Sequence, residues 1–198
     1  MPQVLLFHSA LGIRAGITSL ADALRAAGHD VTVIDQYDGR VFDTYPEAMA
    51  HVEALGMPTL MASALDAARE VDGDLVTIGW SNGAGMAQWV AANLPERTRG
   101  VVMGGGGLDM KWLERDWPPS VQGQIHHTEG DPYVDEGSDE AVAHQAEAAG
   151  GRVEVFVYPG DGHLFTDPSL PQEYDEASAR LCTERIVAFV DSVSRGGC

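Results

Sequence analysis

Residues 75–90 read LVTIGWSNGAGMAQWV, a short apolar run that passes through glycines and a serine into a helical pattern. The β-branched and apolar residues before Gly79 are typical of a strand that is buried on both faces. From Asn82 onward, apolar and small residues recur at helical spacing. The stretch therefore predicts a buried strand, a tight turn at Ser81 and a helix, which together form the basic unit of a parallel sheet.

The same unit repeats along the chain, because short β-branched runs alternate with longer amphipathic segments. Strands are predicted at residues 4–7, 31–35, 74–79, 99–104, 123–127 and 152–158. Helices are predicted at residues 16–27, 59–71, 82–93, 138–149 and 174–193, with a shorter one near 46–55. Residues 36–58 and 108–119 follow strand ends and are expected to overhang that edge of the sheet. The pattern predicts an α/β fold, a three-layer sandwich around a mostly parallel sheet of about six strands.

Length, charge and cysteine content narrow the class of protein. The 198 residues suit one domain, with residues 194–198 as a flexible tail. A formal net charge of -18 repels phosphate backbones and anionic lipids, so neither nucleic acid nor membrane is an expected partner. No signal-peptide pattern precedes Val4, and the chain has only two cysteines, Cys182 and Cys198. These features favour a cytoplasmic protein.

Three side chains suited to nucleophilic catalysis follow one another in the order serine, acid, histidine. Ser81 lies at the tip of the strand-to-helix turn, where its hydroxyl projects and the helix start favours a developing negative charge. Asp131 follows the fifth predicted strand and His163 follows the sixth. Because the carboxyl ends of parallel strands meet at one edge, we expect the three to converge there. His163 would then act as general base for Ser81, oriented by Asp131, with Asp135 as the alternative acid.

Each of these residues also has a structural interpretation. Glycine-rich turns between strand and helix serve as packing corners or phosphate cradles, which would explain the sequence around Ser81 without catalysis. Asp131 precedes Pro132, and aspartate before proline commonly caps a turn. His163 could be an ordinary loop histidine. The order of the three residues, each directly after a strand, favours the catalytic interpretation.

A serine nucleophile also needs two N–H groups that stabilise the oxyanion. One is expected from the backbone of Asn82, and the other from the loop after the first strand, with Ala10 preferred and Leu11 as the alternative. Ser9, Leu11 and Trp80 adjoin these positions and are the predicted substrate contacts. Further aromatic residues that could line a pocket or simply fill the core are Trp112, Trp117 and Tyr133. The remaining histidines lack an identifiable ligand set, so no metal and no cofactor are expected.

With GWSNG at residues 79–83, EGDPYV at 129–134 and GDGHLF at 160–165, the chain resembles the dienelactone hydrolase family of α/β hydrolases. The resemblance covers residues 4–193. It implies the α/β-hydrolase fold without the first antiparallel strands of larger hydrolases and without a large cap domain. It also implies hydrolysis of esters or lactones through an acyl-enzyme.

Three positions depart from the pattern of this family. Ser81 stands where characterised members carry cysteine, and Ser9 stands where they carry a glutamate in the oxyanion loop. The arginine that holds the substrate carboxylate in the family is replaced near Asp167. Since that change reverses a charge, the resemblance implies a neutral ester, lactone or thioester as substrate, and not an anionic dienelactone.

These observations predict a serine hydrolase that cleaves a small ester, lactone or thioester, as a monomer or small homo-oligomer. Two alternatives stay open. One is a catalytically silent binding or regulatory protein that keeps the fold and its pocket. The other is an enzyme that transfers the acyl group to an acceptor other than water, or that cleaves a carbon–carbon bond.

Overall fold

The computed structural model describes residues 1–119 and 121–195. Its strands are β1 (Gln3–Phe7), β2 (Val31–Ile34), β3 (Leu75–Trp80), β4 (Thr98–Gly104), β5 (Gln122–Thr128) and β6 (Arg152–Tyr158). Its helices are α1 (Ala15–Ala26), α2 (Tyr45–Leu55), α3 (Met57–Arg69), α4 (Asn82–Asn93), α5 (Ser138–Ala148) and α6 (Glu176–Arg195). A short 3-10 helix, Met110–Leu113, lies between β4 and β5.

The six strands form one sheet in the order β2-β1-β3-β4-β5-β6, and every strand pair is parallel. This confirms the predicted parallel sheet. The chain first builds outward from β1 to β2, and then returns to place β3 on the other side of β1. The crevice between the carboxyl ends of β1 and β3 is therefore the point at which the strand order reverses, where α/β proteins bind their ligands.

Helices cover both faces of this sheet. The Thr77 hydroxyl donates to the Ala87 carbonyl of α4 at 3.1 Å, so α4 covers the face to which Thr77 points. Gly100 pairs with Val76, and a Cβ at Gly100 would lie 2.8 Å from the Phe189 ring of α6. Because neighbouring residues of a strand point to opposite faces, α4 and α6 lie on opposite sides of the sheet. Helix α1 contacts α6 and shares its side.

Most element boundaries differ from the sequence prediction by one or two residues. Helix α3 begins at Met57, directly after Gly56, whose φ of 80° separates it from α2. Helix α6 continues to Arg195, where the sequence predicted a flexible tail from residue 194. The extension is stabilised by the Ser194 hydroxyl, which donates to the Val190 carbonyl, and by an ion pair between Arg195 and Asp191. Residues 196–198, with Cys198, lie outside the described residues.

Of the two segments expected to overhang the sheet edge, residues 36–58 contain α2 and the start of α3, and residues 108–119 contain the short 3-10 helix. Among the described residues, no insertion between strands is large enough to form a cap domain. The described part of the chain also contains no helix with the length and apolar character needed to cross a bilayer.

Candidate active site

The turn that carries Ser81 has a strained backbone. Ser81 has φ 55° and ψ -119°, a conformation that residues with a side chain rarely adopt. A Cβ at Gly79 would collide with the Gly83 carbonyl, and one at Gly83 would lie 2.5 Å from the Phe7 and His8 carbonyl oxygens. The two glycines are therefore required, because the start of α4 packs directly against β3 and the end of β1.

Asp131 and His163 form a buried pair at the ends of β5 and β6. His163 Nδ1 lies 2.9 Å from Asp131 Oδ1 and 2.8 Å from Oδ2, and both side chains are buried. An ionised carboxylate only accepts hydrogen bonds, so Nδ1 carries the proton and Nε2 keeps its lone pair. Asp131 Oδ1 also accepts the Tyr133 N–H at 2.9 Å, which fixes the carboxylate. The imidazole is thus held in the tautomer that a general base requires.

Ser81 and His163 contact neighbouring glycines at the end of β4, Gly104 and Gly105. The Ser81 N–H donates to the Gly104 carbonyl at 2.7 Å. A Cβ at Gly105 would lie 2.6 Å from His163 Cε1, so the imidazole rests on this glycine. The Ser81 hydroxyl makes no hydrogen bond to any residue that the structure describes. The structure brings the serine turn and the Asp131–His163 pair to one edge of the sheet.

The oxyanion candidates lie in the crevice between β1 and β3. The Leu11 N–H donates to Ser9 Oγ at 3.2 Å and is therefore already satisfied. The Ala10 N–H has no such partner among residues 1–119 and 121–195, and Asn82 begins a helix, where the N–H has no intrahelical acceptor. The geometry favours Ala10 over Leu11 as the second donor.

The predicted substrate contacts Ser9, Leu11 and Trp80 are all buried. Trp80 is 3% exposed, lies on the α6 side of the sheet and covers Gly104. Ser9 and Trp80 line a cavity of about 20 Å³ beside α1, which is room for about one water molecule.

Two tyrosines lie beside His163. The ring centroid of Tyr133 lies 4.7 Å from that of His163, and the centroid of Tyr45 lies 6.2 Å away. Tyr133 was a pocket candidate from sequence, whereas Tyr45 was missed. Its only sequence signal is that residues 36–58 follow a strand end.

The other sequence candidates lie elsewhere. Trp112 is 71% exposed beside the Lys111 ammonium, and buried Trp117 donates to the Val121 carbonyl at 3.0 Å. Asp135, the alternative acid, is exposed and makes no hydrogen bond to His163. Neither tryptophan contacts the Asp131–His163 pair.

Asp167, four residues after His163, is a buried structural residue. Its Oδ2 lies 3.6 Å from Arg14 Nε, and its Oδ1 accepts the N–H and hydroxyl of Ser169 at 2.9 and 2.7 Å. Arg14 compensates its charge inside the protein. Asp167, where the sequence predicted a reversed charge in the substrate site, is therefore paired with Arg14. It presents no free carboxylate to a substrate.

A second histidine–aspartate pair, His127 and Asp139, stabilises the glycine loop that His163 contacts. His127 Nε2 lies 2.9 Å from Asp139 Oδ2, while Asp139 Oδ1 accepts the Gly107 N–H at 2.9 Å. Asp139 thereby holds residues 104–107, the glycine loop on which the imidazole rests. The hydrogen bond that His127 donates to the Asp139 carboxylate raises the pKa of His127 above its ordinary value.

This raised pKa predicts a pH-dependent contribution to stability. A histidine whose folded pKa exceeds the unfolded value of about 6.5 stabilises the fold fully below that pH, and this contribution disappears as pH rises through the folded pKa. His127→Gln should therefore lower the free energy of unfolding most at acidic pH, with a smaller deficit above neutrality. Urea unfolding of both proteins from about pH 5.5 to 9 measures the difference. A loss of unfolding free energy that does not vary with pH would contradict the raised pKa of His127.

Comparisons with known proteins agree with the observed fold. The structure is similar to a dienelactone hydrolase-like promiscuous phosphotriesterase from metagenomic libraries, with TM-score 0.82 and 20% identity over 98% of this chain and 87% of that one. It also resembles a putative dienelactone hydrolase from Klebsiella pneumoniae, with TM-score 0.70 and 18% identity over 95% and 85% of the two chains. For the protein Est1E from Butyrivibrio proteoclasticus the TM-score is 0.65, at 16% identity over 97% and 88%.

At these identities the solved structures show the α/β-hydrolase fold alone. No curated protein matches the sequence. The model of the dienelactone hydrolase family, however, matches residues 1–194. The parallel sheet, the strained turn at Ser81 and a family match over almost the entire length lead to one conclusion: this chain belongs to the dienelactone hydrolase family.

Proposed function

We propose that this protein is a serine hydrolase that cleaves a small neutral ester, lactone or thioester through an acyl-enzyme. The observation that carries the proposal is the buried His163 imidazole, whose Nδ1 lies 2.8 Å from Asp131 beside the strained turn of Ser81. Backbone strain of this kind costs roughly 1–3 kcal/mol and is found where function requires it. A protein that only bound ligands would need neither the strain nor the oriented imidazole.

The proposed reaction begins when His163 Nε2 takes the proton of the Ser81 hydroxyl, and Oγ attacks the substrate carbonyl. The Ala10 and Asn82 N–H groups stabilise the tetrahedral oxyanion. His163 then returns the proton to the departing oxygen or sulfur, which leaves the acyl group on Ser81. Water, deprotonated by His163, releases the acid and restores the enzyme. Asp131 stays ionised and stabilises the imidazolium throughout.

A neutral substrate follows from the charges around the site. The net charge of -18 disfavours anions, and Arg14 is engaged by Asp167 and Asp43. Exposed apolar side chains also follow the strand ends near the turn: Val41 after β2, Leu108 after β4 and Tyr133 after β5. These side chains suit an uncharged organic ester better than an acid.

Cellular location and assembly are further proposals. We infer a cytoplasmic enzyme, because Cys182 is a free, buried thiol and the sequence holds only one other cysteine, Cys198, which suits a reducing compartment. A monomer or small homo-oligomer that acts on small molecules, without nucleic acid or membrane partners, is consistent with the acidic surface.

A serine-directed fluorophosphonate probe tests the proposed function. The intact protein should incorporate one label, and mass spectrometry should locate it on Ser81. Ser81→Ala should stay unlabelled, and His163→Ala should react at least about 100-fold more slowly, since the hydroxyl needs its base. Folded protein that takes no label would favour the silent binding alternative. A panel of p-nitrophenyl esters and lactones, with and without alcohol acceptors, separates hydrolysis from acyl transfer.

A further inference from the structure

Three aromatic rings form a continuous surface at the mouth of the site. Tyr133 packs against His163 with 4.7 Å between ring centroids, and Tyr45 lies 5.4 Å from Tyr133 and 6.2 Å from His163. Tyr133 is 58% exposed, so packing in the core does not explain its position. Distances of 4.5–7 Å are those at which aromatic rings attract one another. We name Tyr45 and Tyr133 the tyrosine pair.

Both tyrosines are tied to the loops that carry the Asp131–His163 pair. The Tyr45 hydroxyl donates to Glu173 at 2.9 Å, and Glu173 accepts the N–H of Leu164 at 2.7 Å. Leu164 directly follows His163, so Glu173 is a positioning residue that links the Tyr45 ring to the histidine loop. The backbone of Tyr133 is fixed by Asp131 Oδ1. The tyrosine pair is therefore preorganised, and little ordering is needed when a ligand binds.

The position of the tyrosine pair identifies the part of the substrate that it would meet. In acyl transfer the histidine protonates the leaving oxygen, which must then lie within hydrogen-bond reach of Nε2. The carbonyl oxygen points instead to the Ala10 and Asn82 amides. Rings that contact His163 consequently adjoin the leaving group, and the acyl group extends away from them.

We propose that the tyrosine pair is a leaving-group subsite that selects esters of aromatic alcohols, an inference that rests on the proposed function. As the tetrahedral intermediate collapses, the bond from carbon to the alcohol oxygen breaks and that oxygen takes the proton of the imidazolium. The neutral aromatic alcohol departs, and the acyl group stays on Ser81. The carboxylates of Asp131 and Glu173, which accept the Tyr133 N–H and the Tyr45 hydroxyl, disfavour an anionic leaving group.

The experiment varies the alcohol and the acyl group separately. Benzyl acetate and ethyl acetate differ in the alcohol, whereas ethyl phenylacetate and ethyl acetate differ in the acyl group. Wild-type protein should have a higher kcat/KM for benzyl acetate than for ethyl acetate, and Tyr133→Ala should reduce that ratio roughly tenfold. Tyr133→Phe keeps the ring and should retain the preference. Trp112→Ala, at a 71% exposed aromatic away from His163, should leave the ratio unchanged.

Two results would overturn the subsite. If Tyr133→Ala lowers kcat/KM for benzyl and ethyl acetate by the same factor, the tyrosine only supports His163. If it changes the phenylacetate ratio and not the benzyl ratio, the rings bind the acyl group. A failure of the proposed function would be distinguishable from a failure of the subsite. Wild-type protein would then hydrolyse none of the esters, and Ser81 would take no fluorophosphonate label.

Discussion

Replacing Ser81 with alanine is expected to lower kcat for ester hydrolysis by about 10⁴-fold or more while the protein stays folded. The Ser81 oxygen forms the bond to the acyl group, so no other atom in the site can take its place. Its hydroxyl makes no hydrogen bond among the described residues, and alanine meets the same backbone strain at φ 55°. Stability should therefore change little. Hydrolysis of p-nitrophenyl acetate and a thermal unfolding curve measure the two quantities.

The partners of Ser81 provide the control for this prediction. Asp131→Asn should also cost about 10⁴-fold, because an amide no longer fixes the tautomer of His163. Combining Asp131→Asn with Ser81→Ala should add almost nothing, since the three side chains act as one unit. If Ser81→Ala keeps more than about a tenth of the activity, another nucleophile performs the reaction. If the two losses multiply, Ser81 and Asp131 act independently and do not form one catalytic unit.

The fold could be predicted from local patterns, but the order of its strands could not. Helix α4 begins and ends at the predicted residues because the strained turn at Ser81 and the approach of Pro95 fix its ends. Strand order depends on which strands pair across long stretches of chain. Nothing in the sequence near β2 indicates that it forms an edge while β1 lies in the interior of the sheet.

In the candidate site, too, local patterns predict positions along the chain but not contacts between distant segments. The placement of Ser81, Asp131 and His163 at one edge could be predicted because each follows a strand, and parallel strands end at one edge. Tyr45 reaches His163 through Glu173, a contact between distant segments that leaves no local pattern. Strand alternation places the Trp80 side chain on the α6 side of the sheet, where it covers Gly104.

Replacing Gly83 with alanine should destabilise the protein by about 3 kcal/mol or more, a loss typical of a steric clash that the core cannot absorb. The added Cβ would lie 2.5 Å from the carbonyl oxygens of Phe7 and His8. Both obstacles are backbone atoms at the end of a buried strand, so no side chain can turn aside to make room. Either α4 or β1 must shift, and urea unfolding measures the cost.

Gly85→Ala is the matched control, because it adds the same methyl group two residues further along α4. Its Cβ would lie 3.6 Å from Leu108 Cδ2, an ordinary contact, and alanine favours a helix by roughly 0.5–1 kcal/mol over glycine. We expect this variant to be as stable as the wild type or more so. Equal effects of the two substitutions would mean that the start of α4 does not press on β1. The stability difference between Gly83→Ala and Gly85→Ala therefore tests how closely the start of α4 packs against the end of β1.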